Sequence, residues 1–378
     1  MQRPELLRYQ RPQPPLVDDI ARYYALAEEA RWYSNFGPCH ERFAARLSEY
    51  VGGASVVPVG NCTLGLMAAL RACCGEPAGH RRLIAVPSFT FAASACAIKW
   101  AGFEPLFVDV APDSWQLEPE ALRDALERHE GAVAGVLACS TFGSAPPSRV
   151  RADWREACAA TGVPFVIDSA AGFGALDSER RPLGGLGDTE VFSFHATKPF
   201  AVGEGGAIVT GDPELAARLV QLINFGIDGP SRTSAVAGLN AKLSELMAAA
   251  GLAMLDRYDD ALARRRETAA RLQARIAAHP VTYQSGSEGS TWQVFQLLLP
   301  DAASRARATS LAEELRIEAR TCFDPPLHRH PAFVDAAVAG SLEITERLAA
   351  RALSLPMANA LGPRQIARIG HLLDELFA

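Results

Sequence analysis

Short apolar runs alternate with longer amphipathic stretches from about residue 55 to residue 210. The apolar runs are typical of buried strands, and the stretches between them have helical spacing. This alternation predicts βα units and an α/β fold with a mostly parallel sheet flanked by helices. The predicted strands are ASVVPVG, RLIAVPS, PLFVDV, GAVAGVLAC, PFVIDSA, VFSFHA and GGAIVTG, and two of the helices between them are TLGLMAALRACC and AASACAIKWAG.

The pattern changes near residue 245. Long helical stretches rich in arginine and alanine follow, such as ALARRRETAARLQARIAAH. One strand-like run, TWQVFQLLLP, interrupts them, and two more helices are predicted to close the chain. A chain of 378 residues is long enough for about two domains. We therefore expect an N-terminal segment and a large α/β domain over residues 1–250, and a smaller C-terminal α+β domain over residues 251–378.

Composition excludes several classes of protein. The chain is 49% hydrophobic with a net charge of -6, and it has no basic stripe of the kind that nucleic-acid binding requires. Proline and charge interrupt its start, and no apolar run approaches the roughly 18 residues of a membrane span. The eight cysteines are scattered, so neither a metal site nor a disulfide framework is indicated. We expect a cytoplasmic protein without nucleic-acid or membrane partners.

Polar residues follow several predicted strands, at the sheet edge where open α/β sheets bind ligands. Asn61, Cys62 and Thr63 lie between a strand and a helix, where they either hold a phosphate or serve as turn and cap. Phe91 follows another strand, and its ring either stacks on a flat cofactor or belongs to the core. Asp168 ends an apolar strand, where a carboxylate is costly unless a cation or several donors meet it. Its alternative role is a helix N-cap.

Lysine is scarce in this chain: Lys99, Lys198 and Lys242 are the three lysines among 37 basic residues. Lys198 follows a predicted strand, after Ser193 and His195 and before the turn GEGG, whose glycines allow close approach to a ligand. A solvated loop lysine is the alternative, although the chain otherwise carries arginine on its surface. Arginine cannot form a Schiff base, so chemistry that needs a deprotonatable amine requires lysine.

These features together describe a site for pyridoxal phosphate (PLP). The lysine supplies the amine for a Schiff base, the acid faces the pyridine nitrogen, and the helix amides hold the phosphate while an aromatic ring stacks on the cofactor. The acid keeps the pyridine nitrogen protonated, so that the ring accepts electrons from the substrate carbanion. Each feature alone has low specificity, but the combination predicts a PLP enzyme.

The sequence resembles the DegT/DnrJ/EryC1/StrS family of sugar aminotransferases, which have the aspartate aminotransferase-like fold type I. The resemblance covers nearly the whole chain, because the matching motifs occur in the family's order. NFGP, GNCT and SFHATKPF are closest to enzymes that aminate a 4-keto-6-deoxyhexose nucleotide. The matching motifs are NFGPCHERFAARLSEYVGG, GNCTLGLMAAL, PSFTFAASACAIKWAGFEPLFVDV, VIDSAAGFGA, GDTEVFSFHATKPFAVGEGGAIVTGD, NFG, GLNAKLSELMAAAGL, PPLHRHPAF and ALSLPM.

The resemblance implies roles for the cofactor-binding residues. Lys198 is the Schiff-base lysine and the acid/base that moves a proton between the substrate carbon and the cofactor carbon. Asp168 faces the pyridine nitrogen, and Phe91 stacks on the ring. Cys62 contributes its side chain or only its backbone amide. Cys62, Thr63 and Ser193 hold the phosphate. Asn61 and His195 complete the cofactor-binding set, and His195 is also a candidate for contact with the substrate.

The resemblance also implies a homodimer with shared active sites. Asn224 in NFG corresponds to the asparagine that reaches the phosphate from the other subunit. His328, Arg329 and Arg320 are candidate substrate-binding residues, in a stretch of the second domain that folds over the cofactor edge. The alternative for the arginines is ordinary surface charge. For His195 and His328, the alternative is a hydrogen bond to a neighbouring backbone carbonyl.

Two departures from the family pattern bear on the reaction. Ala171 stands where a glutamine commonly hydrogen-bonds the phenolic oxygen of the cofactor, and the phosphate turn is GNCT where many members have SSGT. We expect transfer of the amino group of L-glutamate to a keto sugar nucleotide, in sugar or antibiotic biosynthesis. A lyase, decarboxylase or deaminase acting on an amino-acid-derived intermediate is the alternative. Lys198 argues against the sugar dehydration of relatives that carry histidine at this position.

Two other classes fit the residues less well. A nicotinamide-dependent dehydrogenase needs a GxGxxG after the first strand, whereas GEGG comes late and lacks that spacing. A non-catalytic protein of the same fold would tolerate loss of Lys198 or Asp168, yet both residues are present.

Overall fold

The computed structural model describes residues 5–378. Several helices begin at residues whose side chains accept a first-turn amide, among them Asn61, Asp212 and Ser244. Within residues 5–378, no helix combines the length and the apolar sequence that a membrane crossing requires. The helices are α1 Val17–Ala30, α2 Pro38–Tyr50, α3 Cys62–Cys74, α4 Ala92–Trp100, α5 Pro119–Arg128, α6 Ser148–Thr161, α7 Pro213–Ile223, α8 Glu245–Leu255, α9 Tyr258–Ile276, α10 Ala302–Glu314, α11 Glu343–Arg351 and α12 Pro363–Leu376.

The strands form two sheets. They are β1 Ser55–Val59, β2 Leu83–Pro87, β3 Glu104–Val108, β4 Val133–Cys139, β5 Phe165–Asp168, β6 Thr189–Ser193, β7 Gly206–Thr210, β8 Phe295–Leu298, β9 Ala337–Val338 and β10 Ala352–Leu355. The large sheet has the order β1-β7-β6-β5-β4-β2-β3-β9. Only β7 runs antiparallel to its neighbours, β1 and β6. The seven predicted strands correspond to β1 to β7, and the prediction of a mostly parallel sheet is confirmed.

Helices cover both faces of the large sheet. Neighbouring residues of a strand point to opposite faces, and Val191 and Phe192 of β6 accordingly belong to different hydrophobic clusters. Val191 packs in a core that includes residues of α3, α4 and α7, and Phe192 in one that includes residues of α2 and α8. Burial on both faces explains why the strands are apolar throughout.

The small sheet pairs β8 antiparallel with β10. Residues of α9, α10 and α12 share one core with these strands. The prediction of one strand followed by two closing helices was wrong, because this region contains β8 and β10 and three α-helices after β8. β10 is only four residues long and follows Arg351 at the end of α11 directly. No glycine or proline separates the two elements, so the sequence pattern does not mark the strand.

Two segments connect the halves of the chain. Leu7, near the N-terminus, pairs with Ile317 and is buried in the core of the small sheet. β9, from the C-terminal part, joins the edge of the large sheet beside β3. The domain limits of 1–250 and 251–378 stay a prediction.

Candidate active site

The polar residues predicted to form a site lie at one edge of the large sheet. β7 is antiparallel to both β1 and β6, so β1, β2, β4, β5 and β6 all run in the same direction. Their carboxyl ends meet at the edge where α3 and α4 begin, the usual ligand-binding edge of such sheets. In chain order this edge carries Asn61, Cys62, Thr63, Phe91, Asp168 and Ser193, and Lys198 follows in the turn after β6.

Asp168 is a buried carboxylate at the end of β5. Its Oδ2 accepts a hydrogen bond from Ser94 Oγ at 2.7 Å, and its Oδ1 accepts one from the Ala170 amide at 3.0 Å. Burial raises the pKa of Asp168, and these two donors together with the Lys198 amine oppose the rise. The next helix after β5 is α7 at Pro213. Asp168 is therefore not a helix N-cap. Its buried carboxylate is placed to bind a cation.

Lys198 reaches back into the same edge. Its side chain is partly buried, and Nζ donates to Oε1 of Gln293 at 3.3 Å. Burial lowers the pKa of Lys198, while Cys62 and Asp168 nearby oppose that change. A lowered pKa favours the neutral amine, which is the nucleophilic form of lysine.

The N-terminus of α3 offers backbone amides to this edge. Asn61 caps the helix by accepting the Leu64 amide at 2.9 Å. The earlier amides of the first turn, at Cys62 and Thr63, have no acceptor within the helix. Gly206 packs against them so closely that a Cβ there would lie 2.9 Å from the Cys62 nitrogen. The helix end thus has the form of an anion site.

The thiol of Cys62 points away from solvent. It is buried, and its Sγ lies 4.0 Å from Asp168 Oδ1. Burial raises the pKa of Cys62, and the negative charge of Asp168 raises it further. The side chain is a neutral core group beside the acid, so the group that Cys62 offers at the helix end is its backbone amide.

Ser193 and His195 shape the turn that leads to Lys198. The Ser193 hydroxyl accepts the His195 amide at 3.3 Å. His195 Nδ1 accepts the Thr197 amide at 3.2 Å, and Nε2 lies 3.6 Å from a carboxylate oxygen of Glu204. The ring therefore contacts Thr197 and Glu204, and neither contact is to a backbone carbonyl.

Phe91 is not a core residue. It is the N-cap residue of α4 and is 67% exposed. Ser94, which donates to Asp168, lies one turn further along the same helix. The ring of Phe91 is therefore accessible at the start of α4, and its stacking on the cofactor stays a prediction.

Asn224 lies at the end of α7 and is partly buried. It pairs with Asn240 in an isolated bridge. The next residue along that segment, Ala241, accepts the Gly60 amide at 2.7 Å. Asn224 is therefore tied by backbone contacts to the segment that precedes α3, and Phe225 beside it is exposed.

The three candidate substrate-binding residues have protein partners in the structure. His328 Nδ1 lies 2.8 Å from Ser88 Oγ, and its Nε2 lies 2.7 Å from Glu346 Oε1. Arg329 pairs with the same Glu346 oxygen at 2.6 Å. Arg320 pairs with Glu318 and remains more than half exposed. The Nδ1 atom of His328 joins its turn to the residue that follows β2, and Nε2 joins it to Glu346 on α11. Substrate contact by these residues stays a prediction.

Sequence reasoning missed two residues that contact the predicted pair. Ser94 lies in the apolar helix α4 and donates to Asp168, and Gln293 precedes β8 and accepts from Lys198. A polar residue inside an apolar run was the only signal in either case. A third polar group, the buried Glu190, lies behind the site: its carboxylate accepts from Ser169, and burial raises its pKa to about 7.

The fold is that of PLP-dependent aminotransferases. The chain belongs to the DegT/DnrJ/EryC1/StrS aminotransferase family, whose model matches residues 16–374. It is therefore a PLP-dependent aminotransferase, and the predicted family, fold class and cofactor are confirmed.

The chain is similar to Protein Rv3402c of Mycobacterium tuberculosis, with 38% identity over 97% of this chain and 89% of that protein. It is also similar to dTDP-4-amino-4,6-dideoxy-D-glucose transaminase of Shigella dysenteriae, with 26% identity over 92% of each chain. Among solved structures, DesI in the presence of its TDP-sugar product superposes with a TM-score of 0.87, at 32% identity, over 98% of this chain and 92% of DesI. Relatives of this family thus include enzymes named for sugar nucleotides.

Proposed function

We propose that the protein transfers the amino group of L-glutamate to a keto sugar nucleotide, such as a 4-keto-6-deoxyhexose nucleotide. The observation that carries the proposal is that the partly buried Lys198 amine lies close enough to the buried Asp168 carboxylate for their charges to interact, at the edge where α3 begins. The names of the transaminase from Shigella dysenteriae and of DesI with its TDP-sugar product support a sugar nucleotide as the acceptor.

The residues at this edge fit PLP. Asp168 is buried and held by Ser94 and Ala170, so its remaining lone pairs are suited to a ring N–H. The amides at the start of α3 suit the phosphate. Gly206 packs against them, and because glycine has no side chain it does not cover them. In this proposal Asn61, Thr63 and Ser193 complete the phosphate site, and Phe91 covers one face of the ring.

Bound PLP supplies an electron sink for the carbanion that proton removal creates. Lys198 would move that proton: its Nζ would take it from the substrate carbon and return it to the cofactor carbon. The lowered pKa of Lys198 keeps a fraction of the amine neutral, as a proton acceptor requires. Asp168 holds the proton on the ring nitrogen and so preserves the positive charge there.

The sugar nucleotide would be bound by basic groups on the second domain. Arg320 and Arg329 are both more than half exposed, which leaves guanidinium donors for a diphosphate. Their carboxylate partners, Glu318 and Glu346, compensate charge in the free protein. His328 is proposed to position this turn through Ser88 rather than to bind the sugar.

The amino donor and acceptor can be tested on the purified protein without a coupled assay. L-Glutamate is expected to convert the visible absorbance of bound PLP to that of the amine form of the cofactor, and a 4-keto-6-deoxyhexose nucleotide is expected to restore it. The Lys198→Ala variant is the control, because it lacks the amine that moves the proton. If glutamate leaves the spectrum unchanged and an amino acid conjugate is cleaved or deaminated, the lyase or deaminase alternative replaces this proposal.

We further propose a homodimer that shares its two active sites. Exposed apolar side chains flank α1 and α8, as expected of an interaction surface. Trp32 lies against Gly37, whose amide donates to Glu245 at 3.1 Å, next to the exposed Leu246. The other exposed apolar residues of this part of the chain are Leu16, Val17 and Tyr33, with Phe225 beside Asn224.

Mixing two inactive variants tests whether Asn224 acts across the interface. Asn224→Ala and Lys198→Ala subunits are each expected to be weak as homodimers. In their heterodimer one site combines an intact Lys198 with an intact Asn224 from the other subunit, so about half of the wild-type activity should return. A heterodimer as weak as its parents would show that Asn224 serves the site of its own chain.

A further inference from the structure

We propose that Gln293 is a cofactor-contacting residue: in the free protein its side-chain carbonyl accepts from the Lys198 amine, and with PLP bound its amide nitrogen would donate to the phenolic oxygen. This inference rests on the proposed PLP site. It adds a residue from the second half of the chain that sets the electronic state of the cofactor.

The first observation is the contact with Lys198. Lys198 Nζ lies 3.3 Å from Gln293 Oε1. A lysine ammonium has only donors, so the oxygen end of the Gln293 amide must face it, and the NH₂ end is left free to donate. In PLP the aldehyde carbon that bonds lysine is a substituent on the ring carbon next to the one that bears the phenolic oxygen. An amide whose oxygen touches Nζ therefore carries its NH₂ group close to the phenolic oxygen.

The second observation is that the backbone of Gln293 is anchored. Arg265 on α9 is buried and donates to the carbonyl oxygens of Trp292 at 2.6 Å and Gln293 at 2.7 Å. Its third partner is Asn359 Oδ1 at 3.0 Å. Burial lowers the pKa of Arg265 to about 10. A buried guanidinium with three acceptors fixes the segment, so the Gln293 side chain starts from a defined position.

The third observation is that the same segment packs on the turn after Asp168. Thr291 Oγ1 donates to the Ala171 carbonyl at 2.7 Å. Gly143 fits between the two, since a Cβ there would lie 2.6 Å from the Ala171 oxygen. The Asp168 turn presents only methyl groups at Ala170 and Ala171. The side chain that hydrogen-bonds to Lys198 is instead supplied by Gln293, two residues beyond Thr291.

A donor at the phenolic oxygen has a measurable effect. It stabilises the negative charge on that oxygen and so weakens its hold on the proton shared with the lysine nitrogen. The visible chromophore of the bound cofactor then loses that proton at lower pH. Removal of the donor should raise the pH midpoint of this spectral change.

The experiment is a pH titration of the visible absorbance of the PLP-loaded protein. Gln293→Met keeps the length of the side chain and removes both polar atoms; its midpoint is expected to rise by about one pH unit, the value of one hydrogen bond. Gln293→Glu replaces the donor with a negative charge and should raise the midpoint further. The matched control is Gln273→Met on α9, two turns beyond Arg265, which should leave the midpoint unchanged.

An unchanged or lowered midpoint in Gln293→Met would contradict the inference. If that variant does not fold, Gln293→Asn withdraws the amide by one carbon and is expected to shift the midpoint in the same direction. The failure of this inference differs from failure of the PLP site itself. In the first case Lys198 still carries the chromophore and only the shift is missing; in the second, the unmodified protein shows no chromophore on Lys198.

Discussion

Replacing Lys198 with alanine is expected to abolish transamination, with a fall in turnover of about 10⁴-fold or more, because both the covalent partner of PLP and the proton carrier are lost. Lys198→Arg should be equally inactive, since a guanidinium is always protonated and cannot act as a nucleophile. The measurement is the rate of amino transfer by the PLP-loaded variants, together with the visible spectrum of each.

Borohydride reduction tests the same assignment on the unmodified protein. Reduction is expected to bleach the visible absorbance and to leave the added mass on the peptide that contains Lys198. Lys99→Ala is the matched control: Lys99 is exposed on α4 and pairs with Glu104 at 2.6 Å, so its loss should change neither the spectrum nor the rate. A label on Lys99 or Lys242 would rule out Lys198 as the covalent site.

The sequence predicted which polar residues lie together at the strand ends, while their roles in the site stay a prediction. Asp168 and Lys198 stand out because each breaks or follows an apolar run, and a parallel sheet collects such positions at one edge. The local sequence is enough to predict these positions, because the end of a strand and the polar residue that follows it are defined by a few neighbouring residues. The same reasoning predicted seven of the strands of the large sheet.

Partners that come from distant segments were not predicted. Ser94 reaches Asp168 across 74 positions of sequence, and Gln293 reaches Lys198 across 95. Such contacts depend on how helices and the second domain pack, and a single serine in an apolar helix does not reveal them. His328 is a further example, because its ring nitrogens contact Ser88 and Glu346, and no local sequence pattern indicates either partner.

The site combines a buried acid and a partly buried amine whose pKa values burial moves in opposite directions. Burial raises the pKa of Asp168 and lowers that of Lys198, so in the free protein burial disfavours both charges. A cationic ring nitrogen placed against Asp168 would return that carboxylate to its charged form. The Asp168 carboxylate is thus more stable in its charged form when a cation is bound than in the free protein.

Replacing Asp168 with asparagine is expected to slow turnover by about 10²–10³-fold, the scale on which one preorganised electrostatic partner acts. Asparagine preserves the shape and still accepts the Ala170 amide, so PLP should stay bound through the α3 amides. Its neutral amide does not stabilise the protonated ring nitrogen, so removal of the substrate proton should become slower. The measurement is the single-turnover rate with L-glutamate, compared with glutamate deuterated at the α-carbon.

The matched control removes another buried carboxylate. Asp177 lies outside the strand-end site and pairs with Arg151 and Arg181. Asp177→Asn is expected to lower stability while leaving the single-turnover rate near that of the wild type, because Asp177 is not one of the residues proposed to hold the cofactor. A larger isotope effect in Asp168→Asn alone would locate the defect in proton removal. If Asp168→Asn instead turned over at the wild-type rate, the carboxylate would be a turn residue that merely accepts the Ala170 amide, and the protonated ring nitrogen would have to be held by another group.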